Sequence, residues 1–259
     1  MTAEVLRISS RDNPFVKALR RLAQDSVAYR KQGQVWLEGD HLCRAALHRG
    51  QKPVVAVFSE SFWHHPAVDW SSIAIKNIVL DDRLFADISG LESPAPMGFI
   101  LDLPPAPELQ PDAPTVVLDR LQDAGNVGSV LRSAAAFGFR QVFALKGSAA
   151  LWSPKVLRAG MGAHFGLRLI EGVDASALDA LRVPLVVTSS HQGDFLHERT
   201  PPFPCAWVLG HEGQGVDAAV AARASFSARI AQPGGEESLN VAAAAAICLY
   251  ASAATALRR

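Results

Sequence analysis

Three short stretches collect the residues most able to do chemistry: L-D-R-L-Q-D-A-G-N-V-G-S-V-L-R (118–132), V-L-G-H-E-G-Q-G-V (208–216) and I-A-Q-P-G-G-E-E-S-L-N-V (230–241). In the first, Gly125 and Gly128 permit close backbone approach, and Asn126 can cap the helix that follows. Arg132 lies in an otherwise apolar helix, where a lone arginine is costly unless it is paired or used. A structural salt bridge is the plain alternative. The second stretch ends a strand in Gly-x-x-Gly-x-Gly, which offers bare backbone N–H and C=O groups to a ligand, or simply makes a tight turn. It lacks the G-x-G-x-x-G order of a dinucleotide fingerprint, and no second histidine follows His211-Glu212 to complete an H-E-x-x-H metal pair. The third breaks at Pro233-Gly234-Gly235 and sets Glu236, Glu237, Ser238 and Asn240 at the start of an alanine-rich helix. A helix start carries unsatisfied N–H groups and partial positive charge, so Ser or Asn there can be a simple cap. Capping accounts for one polar residue and leaves the other three and the glycine break to be explained.

The elements that must position these stretches read as a run of buried strands and helices. T-V-V-L-D (115–119), Q-V-F-A-L (141–145), V-P-L-V-V-T-S (183–189), C-A-W-V-L-G (205–210) and F-S-A-R-I (226–230) are apolar and rich in β-branched residues. Such strands suit a largely parallel sheet with helices on both faces, and ligands on such sheets lie at the C-terminal strand ends. All three polar stretches begin at such ends, which makes one composite site the simplest arrangement. Residues 125–138 and 153–166 read as intervening helices. The small residues of the helix after Asn240 predict close packing against another helix or a second subunit. His64, His65, His164, His191 and His197 show no metal-ligand spacing, and no Ser–His–acid order, G-x-S-x-G elbow or Walker loop is present. His191 reads as a solvated loop residue or as part of a pocket lining.

The first hundred residues alternate strands and helices as a smaller α/β region. Asn13-Pro14 followed by F-V-K-A-L-R-R-L predicts a helix capped by Asn13 with Pro14 at its first position and Phe15, Leu19 and Leu22 as its apolar stripe. Strands are predicted at 35–39, 53–58 and 97–102, with weaker candidates near 73–80, and helices at 40–50 and 81–90. Residues 104–114, with five prolines in eleven positions, predict a linker. The net charge is zero, yet residues 1–52 carry ten Lys/Arg against five Asp/Glu, while 53–110 carry two against eight. A basic N-terminal segment fits an anionic partner such as RNA, or equally a solvated helix face. At 49% hydrophobic and 19% charged residues the composition is that of a soluble globular protein. It has no run of ~18 apolar residues for a membrane helix and no apolar segment at the N-terminus for a secretory signal. Cys43, Cys205 and Cys248 are odd in number and widely spaced, which predicts reduced thiols in a cytoplasmic protein.

Together the three stretches resemble the SpoU/TrmH family of RNA ribose 2′-O-methyltransferases within the SPOUT superfamily. Asn126, Gly128 and Arg132 match the family's first motif, Glu212 is the acid of the second, and Ile230, Gly234, Glu237, Ser238, Leu239 and Asn240 match the third. The chain departs from the family at Ala231 and Gln232, where Pro and Met are common, and at Gly160 of K-V-L-R-A-G-M-G-A, where Ser is usual. S-x-x-N-P-x-x-K-x-L-x-x-L (Ser10 to Leu22) and E-G-D-H-L (38–42) look like the family's N-terminal RNA-binding domain of the L30e/L7Ae type.

The resemblance implies an α/β fold with an L30e-like RNA-binding domain at 1–103, a linker at 104–114 and a methyltransferase domain at 115–259. That last domain would carry a deep trefoil knot and pair with a second copy as a homodimer. The implied reaction moves a methyl group from S-adenosylmethionine to a ribose 2′-OH in structured RNA, 23S rRNA above tRNA. The sulfonium is an activated donor, so the reaction requires no metal. The implied catalytic set is Arg132, Asn126, Glu212, Ser238 and Asn240, with Asn126 holding Arg132. The implied cofactor cradle is Thr188, Leu209, Gly210, Gly213, Ile230, Gln232, Ser238 and Leu239, and the implied RNA contacts are Asn13, Lys17, Arg20, Arg21, Arg30 and Lys31. The family's usual proposal makes the arginine a general base. A guanidinium ordinarily stays protonated, with a pKa above ~12, so Arg132 is either strongly perturbed by its surroundings or clamps the RNA phosphate while another group or water takes the proton. A non-catalytic RNA-binding protein on the same fold would be expected to lose Arg132 or Asn240, and both are present. A nucleotide-dependent oxidoreductase would need a glycine order that is absent.

Overall fold

The computed structural model describes residues 4–64, 70, 72–91, 93–189, 192–235 and 238–257. The chain divides into two compact units, Met1–Pro105 with Trp152–Phe165, and Ala106–Leu151 with Gly166–Arg259.

In the first unit the order is β1 (Glu4–Ile8), α1 (Pro14–Gln24), α2 (Ala28–Gln32), β2 (Gln34–Glu38), α3 (Asp40–His48), β3 (Val55–Ser59), α4 (Glu60–His64), β4 (Lys76–Leu80), α5 (Asp82–Ile88) and β5 (Met97–Asp102). The strands form one mixed sheet in the order β1-β4-β3-β5-β2. Asn13 caps α1, its side chain accepting from the Phe15 N–H, with Pro14 at the first turn as the sequence predicts. The buried stripe of α1 is Val16, Leu19, Leu22 and Ala23, so Phe15 sits at its margin rather than within it. β1 was not evident from the sequence: it is an edge strand with four of its five residues exposed, so it carries no period-2 apolar signal. The short helices α2 and α4 also lack a stripe long enough to read.

The second unit supplies β6 (Thr115–Leu118), α6 (Ala124–Ala136) and β7 (Gln141–Leu145); α7 (Pro154–Gly160), which follows in the chain, groups with the first unit. Then come β8 (Arg168–Val173), β9 (Leu185–Thr188), β10 (Asp194–Phe195), β11 (Ala206–Leu209), α8 (Ala218–Ala221), β12 (Phe226–Arg229) and α9 (Val241–Ala256). The predicted helix over 153–166 is shorter than expected. Met161 takes a left-handed conformation (φ 48°), Gly162 follows at φ 84°, and a 3-10 turn covers Ala163–Gly166.

All seven strands of the second sheet run parallel, in the order β10-β12-β9-β11-β6-β7-β8. The stretches at 118–132, 208–216 and 230–241 therefore leave the same edge of the sheet, β6 and β11 as direct neighbours. One face is sealed by Val117, Phe143, Val187 and Val208 packed against Leu178 and Val220. On the other lies Trp207, fully buried, whose indole N–H donates to Ser252 Oγ of α9 at 2.8 Å. The buried residues of α9, Ala245, Cys248, Leu249 and Ser252, fall at the i, i+3, i+4, i+7 spacing of a single helical stripe. With small side chains around that stripe, α9 also packs along α6, where Phe137 and Tyr250 meet edge to face at 5.7 Å.

Candidate active site

The three motifs meet in a continuous chain of hydrogen bonds. Glu212 lies in the turn after β11, and its Oε1 accepts from the Asp123 N–H at 3.1 Å and from Asn126 Nδ2 at 3.3 Å. Its Oε2 accepts from the Gln122 N–H at 3.3 Å. Asn126 Oδ1 then accepts from Asn240 Nδ2 at 3.0 Å. Asn240 in turn caps α9, its Oδ1 accepting from the N–H groups of Ala242 (2.9 Å) and Ala243 (3.3 Å). Residues far apart in sequence are thus joined from a loop carboxylate to the start of the last helix. Partial burial acts to raise the pKa of the Glu212 carboxyl, but the hydrogen bonds from its own backbone, Asp123, Gln122 and Asn126 outweigh it and hold the group below its usual value. It is therefore an ionised acceptor at neutral pH, suited to orient loops rather than to carry a proton.

Two expectations are corrected here. Asn126 does not cap α6: Asp123 does, its side chain accepting from the Asn126 N–H at 2.7 Å, which frees the Asn126 amide for Glu212 and Asn240. Asn126 also does not hold Arg132. Both ends of its amide are spent on Glu212 and Asn240, and Arg132 is exposed on α6 with neither an ion pair nor a hydrogen bond among the described residues. The alternative of a structural salt bridge is not seen either. The predicted cost of a buried arginine does not arise, because Ser129, Arg132 and Ala136 share the exposed side of the helix.

The turn between Gly210 and Gly215 is specified glycine by glycine. A Cβ on Gly210 would lie 2.2 Å from the backbone of Gly215 and Val216, so no side chain fits. Gly215 has φ 69° and closes the turn by exchanging hydrogen bonds with His211, N–H to O at 2.8 and 3.0 Å. His211 Nδ1 accepts from the N–H groups of Gly213 (3.0 Å) and Gln214 (3.2 Å), which makes this histidine a stay for the loop. Gly213 itself meets nothing closer than the His211 ring at 3.8 Å.

The residues expected to cradle a cofactor surround this turn unevenly. Leu209 is buried, and its carbonyl accepts from the Asp119 N–H at 2.8 Å. Thr188 at the end of β9 donates to the Val208 carbonyl at 3.1 Å. Ile230 is half-buried just past β12, while Ser238 and Leu239 are exposed before α9. Ser238 is not the helix cap; Asn240 is. Gln232 lies at the strand exit with its Oε1 buried and without a hydrogen-bond partner among the described residues. An acceptor without a partner among the described residues, beside a glycine turn, suits a ligand that brings N–H donors, as an adenine base or a free amino acid amine does. Glu236, Glu237 and His191, singled out in the sequence, lie outside the described residues.

Sequence reasoning passed over the groups that brace this site: Arg120, the Gln122 and Asp123 amides, His211, Gln214 and Asp217. The available signal was the acid–base pair Asp119-Arg120 closing an apolar strand.

A parallel sheet with hydrogen-bonded glycine turns and a capped helix converging at its C-terminal edge defines an α/β ligand-binding enzyme site. The chain belongs to the SpoU rRNA Methylase family, whose pattern it matches over residues 113–250. Along 96% of its length it is 32% identical to an uncharacterized tRNA/rRNA methyltransferase of Synechocystis, covering 94% of that protein. It is 28% identical to the 23S rRNA (guanosine(2553)-2′-O)-methyltransferase RlmP of Bacillus subtilis, over 94% of this chain and 98% of the relative. The crystal structure of an AdoMet-bound rRNA methyltransferase from Sinorhizobium meliloti superposes with a TM-score of 0.82 at 25% identity, covering 98% of both chains.

Proposed function

We propose that this protein methylates a ribose 2′-OH in structured RNA, 23S rRNA in particular, with S-adenosylmethionine as donor. The observation that carries the reading is the chain Glu212–Asn126–Asn240, which ties all three motifs into one site. Bound S-adenosylmethionine supplies an electrophilic methyl on a sulfonium; the protein's tasks are alignment of the hydroxyl and management of its proton. Gly210, Gly213, Leu209, Ile230, Leu239 and Thr188 would hold the cofactor, and the orphaned Gln232 Oε1 would accept one of its N–H groups. Ser238, exposed before α9, and Asn240 would face the ribose. Arg132, exposed and unpaired among the described residues, would grip an RNA phosphate as a planar fork.

Residues 1–103 would form an L30e-like RNA-binding domain joined by 104–114 to the knotted catalytic domain, 115–259. Lys17, Arg21, Arg30 and Lys31 are exposed and suit phosphate contact. Arg20 suits it less, since its Nη2 is buried, and Asn13 is occupied as a cap. Ile247 and Tyr250 are exposed on α9 and Leu257 at its C-cap, which supports a homodimer through this helix. No helix among the described residues is long and apolar enough to cross a membrane; the cytoplasm is the proposed compartment, where the rRNA substrate is found.

Transfer of radiolabel from S-adenosylmethionine to separated rRNA and tRNA, followed by mapping of the labelled nucleotide, tests this reading. Label at a single ribose of the large-subunit RNA is expected. Label confined to tRNA, or on a base, would overturn the substrate assignment.

A further inference from the structure

The Glu212 turn is gripped from two sides, and the second grip has no place in the motif chemistry above. Asp119 directly follows β6, with its side chain 3% exposed. Its Oδ2 accepts from the Asp217 N–H at 2.6 Å, beyond the far end of the turn. Arg120 follows at φ 60°, a left-handed conformation that side chains rarely adopt. From there its guanidinium doubles back: Nε donates to Asp119 Oδ1 at 3.0 Å and Nη2 to Asp119 Oδ2 at 3.4 Å. Nη1 donates to Gln214 Oε1 at 3.1 Å, and Nη2 lies 3.9 Å from the Asp217 carboxylate. Gly147 leaves the room this fold-back needs, since a Cβ there would sit 3.2 Å from Arg120 Cγ. Asp119 raises the pKa of the guanidinium further, so the clamp is not itself a titrating switch.

We infer that Arg120 is a positioning residue for methyl transfer: it braces the Gln214–Asp217 side of the turn so that Glu212, on the opposite side, is held against Gln122, Asp123 and Asn126. Backbone strain at a non-glycine residue persists where surrounding interactions over-determine it. Here those interactions join the loop after β6 to the loop after β11, the two loops that Glu212 also joins. Without the guanidinium, Glu212 keeps its partners but loses the fixed turn that aims it, and misplacement by about 1 Å can cost on the order of 100-fold in rate. The inference rests on Glu212 belonging to the active site.

Arg120→Gly is the informative variant, because glycine accepts the left-handed backbone and removes the clamp alone. Methyl transfer to rRNA and S-adenosylmethionine affinity by calorimetry are measured for wild type, Arg120→Gly, Glu212→Gln and the double variant. Arg120→Gly is expected to lower turnover at least about tenfold, and to add little once Glu212 is already Gln, the non-additivity of residues acting as one unit. Arg120→Lys, which keeps charge but cannot fork, is expected to fall between. Wild-type turnover in Arg120→Gly, or losses that multiply independently in the double variant, overturn the inference. Full activity in Glu212→Gln instead overturns the site assignment beneath it. Should Arg120→Gly fail to fold, Gln214→Met tests the same coupling from the exposed end of the clamp, with multiplying losses again the contrary result.

Discussion

Two carboxylates show how differently the two units use charge. In the first unit Glu38 is buried, its Oε1 accepting from the Ser89 hydroxyl. Its Oε2 has no hydrogen-bond partner among the described residues, and Arg158 Nη1, likewise unpartnered, stands 3.9 Å away. In the second unit Glu212 is largely accessible, yet both its oxygens accept backbone or amide hydrogen bonds from another loop. Glu38 is a charge the fold must compensate, where removal of one partner is felt as lost stability. Glu212 is a charge the fold has aimed, where removal is felt as lost geometry. Burial therefore sets Glu38 apart, and hydrogen bonds on both oxygens set Glu212 apart.

Breaking that contrast should give effects of different kinds. Asn240→Ala removes both the α9 cap and the link to Asn126. Methyl transfer is expected to fall on the order of 100-fold or more, while the lost cap costs ~1 kcal/mol of stability. Kinetics and thermal melts on one preparation separate the two.

Arg158→Met should do the reverse. It removes the nearest cation from the buried Glu38 and should lower stability, by less than the roughly 3–5 kcal/mol of a fully buried, hydrogen-bonded pair, and the double change Glu38→Leu with Arg158→Met should recover most of the loss. Denaturant unfolding checks both.

Gln232→Met replaces the orphaned acceptor with an apolar chain of similar length. It is expected to raise the melting temperature of the free protein slightly, since the buried oxygen is gone, and to weaken S-adenosylmethionine binding in this chain, because the cofactor N–H then has no acceptor. Calorimetry against the cofactor, alongside thermal melts, reads the two opposite signs.

The smallest effect concerns pH. The folded-state pKa of Glu212 is lowered, so its contribution is fully present above the usual carboxylate range and disappears as pH falls through the folded value. The difference in melting temperature between wild type and Glu212→Gln should therefore shrink on acidification below about pH 4.

Much of this architecture was legible in the sequence because the buried strands announce themselves. T-V-V-L, Q-V-F-A-L and A-W-V-L are apolar on both faces, and parallel strands between helices must be. The cap Asn13 was also legible, since an Asn before a helical run has a local reason to be there, while at the last helix the sequence offered Ser or Asn and the structure uses Asn240. What was not legible depends on contacts between distant loops. Asn126 has the chemistry of a cap and is displaced from that role by Asp123, three residues earlier. Arg132 reads as buried from its apolar neighbours, yet it lies on the exposed side of α6. Arg120 gives no local sign of φ 60°, because the partners that hold it there, Gln214 and Asp217, lie more than ninety residues away. β1 was hidden for the opposite reason: an exposed edge strand has no pattern to show.

We propose that the Glu212–Asn126–Asn240 chain organises the active site of an RNA ribose methyltransferase, with Arg132 serving the chemistry from outside that chain. Single-turnover methyl transfer to rRNA by Arg132→Ala, with S-adenosylmethionine affinity measured on the same sample, tests it most directly. Near-normal cofactor affinity is expected, with transfer reduced on the order of 100-fold or more. Near-normal transfer by Arg132→Ala would contradict it.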